Sequence, residues 1–351
     1  MKRLILIDGN AILHRAYHAL PPLTNKKGEI VNAVYGFFSM FLKIVQDLKP
    51  EYVIVCFDRA APTFRKELYV GYQAKRPKTA DDLVPQIVIV HEVLQKAKVD
   101  IFEVDGYEAD DLIGTLARQA VEFDGRKWKM EDSTLKMEDR KSINPLASTI
   151  KKPSSTIYHP SSNIEVIIVS GDRDMLQLVN SHVRVLAPVK GITEMILFDD
   201  KKVEEKYHIL PSQFIDYKAL VGDSSDNYPG VAGVGPKTAR DLLQKYETFE
   251  NLYQNLSSLP EKIGKKLATD AEQASLAKKL ATIVTDAPIK LDLKECAMGK
   301  FSMEGARRAF EELGFKSLLK RLQAKGAEEP NETKETKTTK ENKDSEQLGL
   351  L

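Results

Sequence analysis

Three apolar runs in this chain end on aspartate, and that repetition constrains the fold more than any other feature. Leu4-Ile5-Leu6-Ile7 runs into Asp8, Tyr52-Val53-Ile54-Val55-Cys56-Phe57 into Asp58, and Val166-Ile167-Ile168-Val169 into Ser170-Gly171-Asp172. Short apolar runs bounded by polar residues read as buried strands. Val99–Val104 and Val183–Ala187 read as two more. Helical patterns at 31–48 and from Asp81-Asp82 to about Lys98 separate the early runs. Strands alternating with helices predict an α/β domain with a parallel sheet and crossover helices. Ligands in such sheets bind beyond the carboxyl ends of the strands, which is where these aspartates fall.

A fourth acidic element follows the 99–104 strand. Gly106-Tyr107-Glu108-Ala109-Asp110-Asp111 places three carboxylates within four residues, ahead of the helical pattern Leu112, Ile113, Leu116, Ala117 and Ala120. Acids at a helix start face the positive end of its dipole, so capping alone is one reading. The other is a set of hard divalent cations, since crowded carboxylates raise one another's pKa unless neutralised. The strand-end aspartates favour the second, predicting one acidic pocket.

Leu220–Arg240 carries the next signal. Gly230, Gly233 and Gly235 allow a tight hairpin between helical patterns at 212–221 and 236–246, with Pro236 suited to a first helical position. Amides at such a helix start bind phosphate oxygens, and Lys237 and Arg240 add charge. A Walker loop is excluded because Gly-Lys-Ser/Thr is missing. Asp223 and Asp226 end the preceding helix, where the dipole disfavours them, and a nearby cation accounts for their placement.

Composition narrows the class. A net charge of +1 over 351 residues leaves the partner open, because acids at a metal site offset bases elsewhere. Two cysteines, Cys56 and Cys296, exclude a disulfide framework or cysteine zinc site and suit a reducing cytosol. The N-terminal apolar run is too short for a signal peptide, and no run approaches a membrane span. The expectation is a soluble cytoplasmic protein. Residues 124–163 are polar, with Lys-Met-Glu-Asp at 129–132 and 136–139, and read as a mobile insertion. Residues 326–351 read as a disordered tail.

Taken together, these motifs resemble the flap-type 5′ nuclease family, most closely the 5′–3′ exonuclease domain of bacterial DNA polymerase I. Asp8-Gly9-Asn10, Phe57-Asp58, Gly106–Asp111, Gly171-Asp172-Arg173-Asp174 and Gly222-Asp223-Ser224-Ser225-Asp226-Asn227 occur in family order. The resemblance implies a PIN-like catalytic domain over 1–200, an arch or clamp over 65–98, and a helix-hairpin-helix subdomain over 201–325. It implies two magnesium ions, with manganese as a substitute. Asp8, Asp58, Glu108 and Asp110 would surround one ion, and Asp172, Asp174 and Asp223 the other, with Asp111 and Asp226 in support. Cleavage of 5′ flaps, nicks or RNA-primer ends by a monomer would follow. A potassium ion at the hairpin is also implied.

DNA contacts are expected from Arg15, Arg65, Tyr72, Gly230, Gly233, Gly235, Lys237, Thr238 and Arg240, and catalytic help from Arg76 and Lys75. One position departs from the pattern: the family's Tyr-Lys-Ala-X-Arg reads Tyr72-Gln73-Ala74-Lys75-Arg76, and this predicts reduced activity. The polymerase relatives continue where this chain stops, so a stand-alone nuclease is expected. Gln347-Leu348-Gly349-Leu350-Leu351 resembles the bacterial sliding-clamp-binding pentapeptide, with Leu348, Leu350 and Leu351 as its apolar positions. A branched-DNA-binding scaffold with a degenerate site and a small-molecule phosphohydrolase are the two competing classes. The hairpin and basic 65–78 stretch disfavour the latter.

Overall fold

A computed structural model describes residues 1–122 and 163–326. The 124–163 insertion, save Asn163, and the clamp-like C-terminus lie outside the described residues. The elements in order are β1 (Lys2–Asp8), α1 (Gly9–Ala19), α2 (Asn32–Leu48), β2 (Tyr52–Cys56), α3 (Phe64–Leu68), α4 (Val84–Lys96), β3 (Asp100–Phe102), α5 (Ala109–Glu122), β4 (Ile164–Val169), β5 (Val183–Lys190), β6 (Glu194–Phe198) and α6 (Asp200–Tyr207). Then come α7 (Phe214–Val221), β7 (Gly222–Asp223), β8 (Tyr228–Pro229), α8 (Pro236–Tyr246), α9 (Phe249–Gln254), α10 (Glu261–Thr269), α11 (Ala271–Ala281), α12 (Met303–Leu313) and α13 (Lys316–Gly326).

The main sheet runs β3-β2-β1-β4-β5-β6, parallel except for the β5–β6 pair. Glu194–Phe198 was not anticipated from the sequence. It forms as an antiparallel edge strand through the turn at Gly191, whose φ is +57°. Side chains alternate between two cores with the period of two that a strand imposes. Ile5, Ile7, Val53, Val55, Ile167 and Val169 enter one core with α1, α2, α4, α12 and α13. Leu4, Leu6, Ile54, Cys56, Val166 and Ile168 enter the other with α5. Burial on both faces explains why these strands read as unbroken apolar runs.

The chain leaves β1 in one direction for β2 and β3, and occupies the other side with β4, β5 and β6. The switch point therefore lies between β1 and β4, and their carboxyl ends open a crevice there.

Residues of the expected 201–325 subdomain divide among more than one core. Residues 303–326 return to the sheet, where Ala306, Ala309, Phe310, Phe315, Leu318 and Leu322 pack with Phe38 and Phe41 of α2. Ile283, Ala287, Leu291 and Cys296 join the opposite core. The separate helical core is narrower, built from Ala219 to Ala274 by α7, the hairpin and α8–α11. Amphipathic periodicity shows that a helix has an apolar face but not which partner covers it, so the sequence could not assign α12 and α13. Among the described residues no helix is long and apolar enough to cross a membrane.

Candidate active site

The switch-point crevice gathers the strand-end acids. Asp8 ends β1 and caps α1: one carboxylate oxygen accepts the Ala11 amide at 2.9 Å and the other the Ser170 hydroxyl at 2.7 Å. Ser170 Oγ in turn accepts the Asp172 amide at 2.9 Å, which locks the exit of β4 to that of β1. Asp58 follows β2. Its amide donates to Asn10 Oδ1 at 3.1 Å, and its Oδ1 accepts the amide of Ala109 at the start of α5 at 2.7 Å. Glu108 accepts from Thr63 Oγ1 at 3.0 Å and from the Tyr72 hydroxyl at 3.1 Å.

Their electrostatics show how crowded they are. Burial, then Asp58 and Asp172, push the Asp8 carboxyl up to about 7 against the pull of its hydrogen bonds. Asp110 lies at the centre, raised well above the carboxylate range by burial and then by Asp172, Asp8, Asp58 and Glu108. Glu108 is raised by burial, with Arg65 opposing.

A second group adjoins the first. Asp174, Asp223 and Asp226 bring one oxygen each within 4.8 Å of one another. Asp172 Oδ1 accepts the Asp174 amide at 2.8 Å, coupling the two groups. Burial and then Asp172 push Asp174 up to about 7, against Lys218. Lys218 Nζ lies 2.6 Å from Asp174 Oδ1, an ion pair without hydrogen-bond alignment, and also pairs with Asp223 Oδ2. Burial raises Asp223, but hydrogen bonds from Lys218 and Ser225 outweigh it and hold the carboxyl below its usual range. Arg76 pairs with Asp226 at 2.6 Å. The donors in both groups are carboxylate oxygens, the set that suits hard divalent cations. Excess buried negative charge gives such cations a reason to bind.

Several expected site residues have other partners. Asp111 is fully buried and accepts both guanidinium N–H groups of Arg65 at 2.7 Å, plus the amides of Val284 at 2.8 Å and Glu108 at 3.1 Å. Arg65 is 2% exposed and also donates to the carbonyls of Leu280 and Thr282. Together they join the start of α5, α3 and the end of α11. Asp111 was expected to support a metal and Arg65 to touch DNA; in the structure each is the other's partner. An ion pair between residues 46 apart leaves no local sequence pattern.

Tyr72, also expected at DNA, is enclosed. It is 4% exposed, stacked on Tyr228 at 6.4 Å between ring centres and bonded to Glu108, so it has no open face for a base. Residues 69–76 of the expected arch pack on the Asp223–Tyr228 turn. The Gln73 amide donates to Asp226 O at 2.8 Å and Asn227 Nδ2 to Gly71 O at 2.7 Å. Gln73 and Asn227 are both left-handed, with φ of +54° and +56°. Lys75 and Arg76 remain exposed. Arg15 is half-buried, and its Nε donates to Gly191 O at 3.0 Å, which ties α1 to the β5–β6 turn.

The hairpin divides its glycines between two tasks. Gly230 is buried back to back with Gly222, and a Cβ on either would strike the other's backbone. Gly230, expected at DNA, joins the Asp223 turn to the hairpin rather than meeting solvent. Gly233, Gly235 and Lys237 are exposed, Thr238 and Arg240 half-buried. Pro236 opens α8, and no side chain caps the helix from Gly235.

Sequence reasoning missed Lys218, Tyr228 and Asn227. Lys218 precedes Asp223 by five positions on α7, and only the sharp turn at Gly222 (φ +78°) brings its ammonium back onto that carboxylate.

Comparison with known proteins agrees with this architecture. Residues 3–131 match the family model for the 5′-3′ exonuclease N-terminal resolvase-like domain, and 209–304 that for the 5′-3′ exonuclease C-terminal SAM fold. DNA polymerase I of Bacillus subtilis is 38% identical over 328 residues, covering 93% of this chain and 33% of that protein. The thermostable DNA polymerase I of Thermus filiformis is 36% identical over 332 residues, covering 94% and 34%. The chain thus spans about a third of the length of these relatives. Among solved structures, the D15 protein of bacteriophage T5, co-crystallised with metal ions, superposes with a TM-score of 0.59. It is 17% identical and covers 93% of this chain and 99% of its own. The catalytic core of Rad2 in complex with a DNA substrate gives 0.52 at 12% identity, covering 94% and 92%. These two likenesses speak for the fold alone. With both family models matching in order over well over half its length, the chain belongs to the 5′-3′ exonuclease family.

Proposed function

We propose that the chain is a magnesium-dependent, structure-selective 5′ nuclease that hydrolyses phosphodiesters at 5′ flaps, nicks and primer remnants. The observation that carries this reading is the meeting of two carboxylate groups at one crevice, with Asp226 and the phosphate-suited hairpin on a single continuous turn. The proteins that share its fold are consistent with it: T5 D15 is a flap endonuclease solved with DNA and metal ions, and the Rad2 catalytic core is solved with a DNA substrate.

In this reading Asp8, Asp58, Glu108 and Asp110 hold one cation, and Asp172, Asp174, Asp223 and Asp226 a second. Divalent cations bound there supply Lewis-acid stabilisation of the attacking and leaving oxygens and lower the pKa of water. Manganese, with the same preference for oxygen donors, is a substitute. Lys218 moderates the charge of the second group and keeps its carboxylates oriented. Arg76, exposed beside Asp226, and Lys75 reach a phosphate at the mouth of the crevice. Gly233, Gly235, Lys237, Thr238 and Arg240 hold the duplex backbone by amides, hydroxyl and charge without reading bases. A potassium ion at the hairpin and a monomeric state complete the picture.

The second reading, a weakly active scaffold that grips branched DNA, is favoured by Gln73 and by the Arg76–Asp226 pair. One assay separates them: a 5′-flap oligonucleotide with magnesium, calcium or chelator, beside Asp172→Ala. Cleavage that needs magnesium and disappears in the variant supports the nuclease. Binding without cleavage supports the scaffold. The C-terminal Gln347–Leu351 peptide is proposed to tether the enzyme to a sliding clamp in the cytoplasm, and no binding at tens of micromolar would sink that idea.

A further inference from the structure

The corner between α10 and α11 grips the hairpin at three points. Asp270 Oδ2 accepts the Ala232 amide at 2.7 Å, Gln273 Nε2 donates to Gly230 O at 2.5 Å, and Lys266 Nζ donates to Gly233 O at 3.0 Å. Two of these contacts are neutral or acidic. The third brings a positive charge to the exposed tip of the hairpin, from 33 residues away in sequence. Gly233 adopts φ +71°, and the Lys266 ammonium lies where a Cβ on that residue would stand. Glycine therefore both permits the turn and leaves room for the cation.

An ammonium has three N–H donors, and Gly233 O takes one. Lys266 makes no ion pair among the described residues, whereas its neighbour Lys265 pairs with Glu261 at 2.5 Å. The amide-rich start of α8, uncapped by a side chain, lies two residues beyond Gly233 and favours anions through its dipole. A pin that only needed to hold a carbonyl would not require a full charge at a phosphate-suited tip.

We infer that Lys266 is a DNA-backbone ligand of the hairpin, holding a phosphate together with the Gly233–Gly235 edge and Lys237. This rests on the reading of the hairpin as a nucleic-acid grip. Through its bond to Gly233 O the lysine is held in place before DNA arrives, so little side-chain freedom is lost on binding.

The test is the salt dependence of binding by the full chain to a fluorescein-labelled 5′-flap duplex in calcium buffer. Each neutralised phosphate contributes about 0.9 to the slope of log K against log salt. Lys266→Gln keeps an N–H donor for Gly233 O but removes the charge. It should weaken binding at 100 mM salt and lower the slope by about 0.9, with Lys266→Arg keeping the parent slope. Lys266→Met gives a second measure should the glutamine variant be unstable. Lys265→Gln should leave the slope unchanged. A parent slope retained in both neutral variants, even with weaker binding, makes Lys266 a structural pin and overturns the inference. An equal fall in Lys265→Gln overturns it too, by showing a general charge effect. A parent that shows no salt-dependent binding refutes the underlying reading of the hairpin instead.

Discussion

Replacing Asp111 tests most directly whether a carboxylate in the acidic motif serves structure or metal. Asp111→Ala removes the partner of a guanidinium that is itself 2% exposed, and orphans the amides of Val284 and Glu108. Breaking a buried ion pair by deleting one member costs about 3–5 kcal/mol, because the remaining charge stays desolvated. At roughly 2 °C per kcal/mol, the lower end of the range for domains of about 150–250 residues, the melting temperature should fall by about 6–10 °C. Asp174→Asn is the contrast. Its carboxyl is pushed from 3.8 up to about 7, so at pH 8 the folded protein carries an unfavourable charge. At about 1.4 kcal/mol per unit, neutralising it stabilises the chelator-treated protein by an upper limit on the order of 4 kcal/mol. The assay is thermal unfolding with chelator, then with magnesium. Asp111→Ala should be unstable in both, whereas Asp174→Asn should be at least as stable as the parent in chelator and gain less from magnesium. If Asp111→Ala melts within 2 °C of the parent in chelator and loses the magnesium-induced shift, Asp111 is a ligand and the argument is wrong.

Three further outcomes are expected. The folded pKa values of Asp8 and Asp174 are raised to about 7, so their contribution to stability is fully present below pH 4 and is lost as pH rises towards and through 7. Magnesium should offset this, giving a larger thermal shift at pH 8 than at pH 5; equal shifts would count against a carboxylate site. Gln73→Lys should speed flap cleavage at saturating magnesium, since φ +54° suits lysine no worse than glutamine, and an unchanged single-turnover rate would refute the expectation that Gln73 reduces activity. Gly222→Ala should cost several kcal/mol, combining a left-handed backbone with a clash against Gly230, and a urea midpoint near the parent's would refute the close approach.

Five of the six strands of the main sheet, and the acids at the ends of three of them, are legible in the sequence. Apolar runs buried on both faces have no polar alternation to hide them, and an aspartate after each run must emerge at a strand's carboxyl end. Asp8, Asp58 and Asp172 were legible for that reason, as was the α8 start at Pro236. Tertiary structure alone decided what each charged side chain meets. Asp111 and Asp110 are adjacent in sequence, yet α5 turns one towards Arg65 and the core and the other towards the crevice, because successive helical residues point about 100° apart. Arg65 and Tyr72 looked like surface groups of a basic loop until α11 and Tyr228 covered them. Lys218 and Lys266 reach their carboxylates and carbonyl through turns whose direction depends on packing, not on local composition. Pairing between distant residues is a property of the closed core, and the one-dimensional pattern holds no record of it.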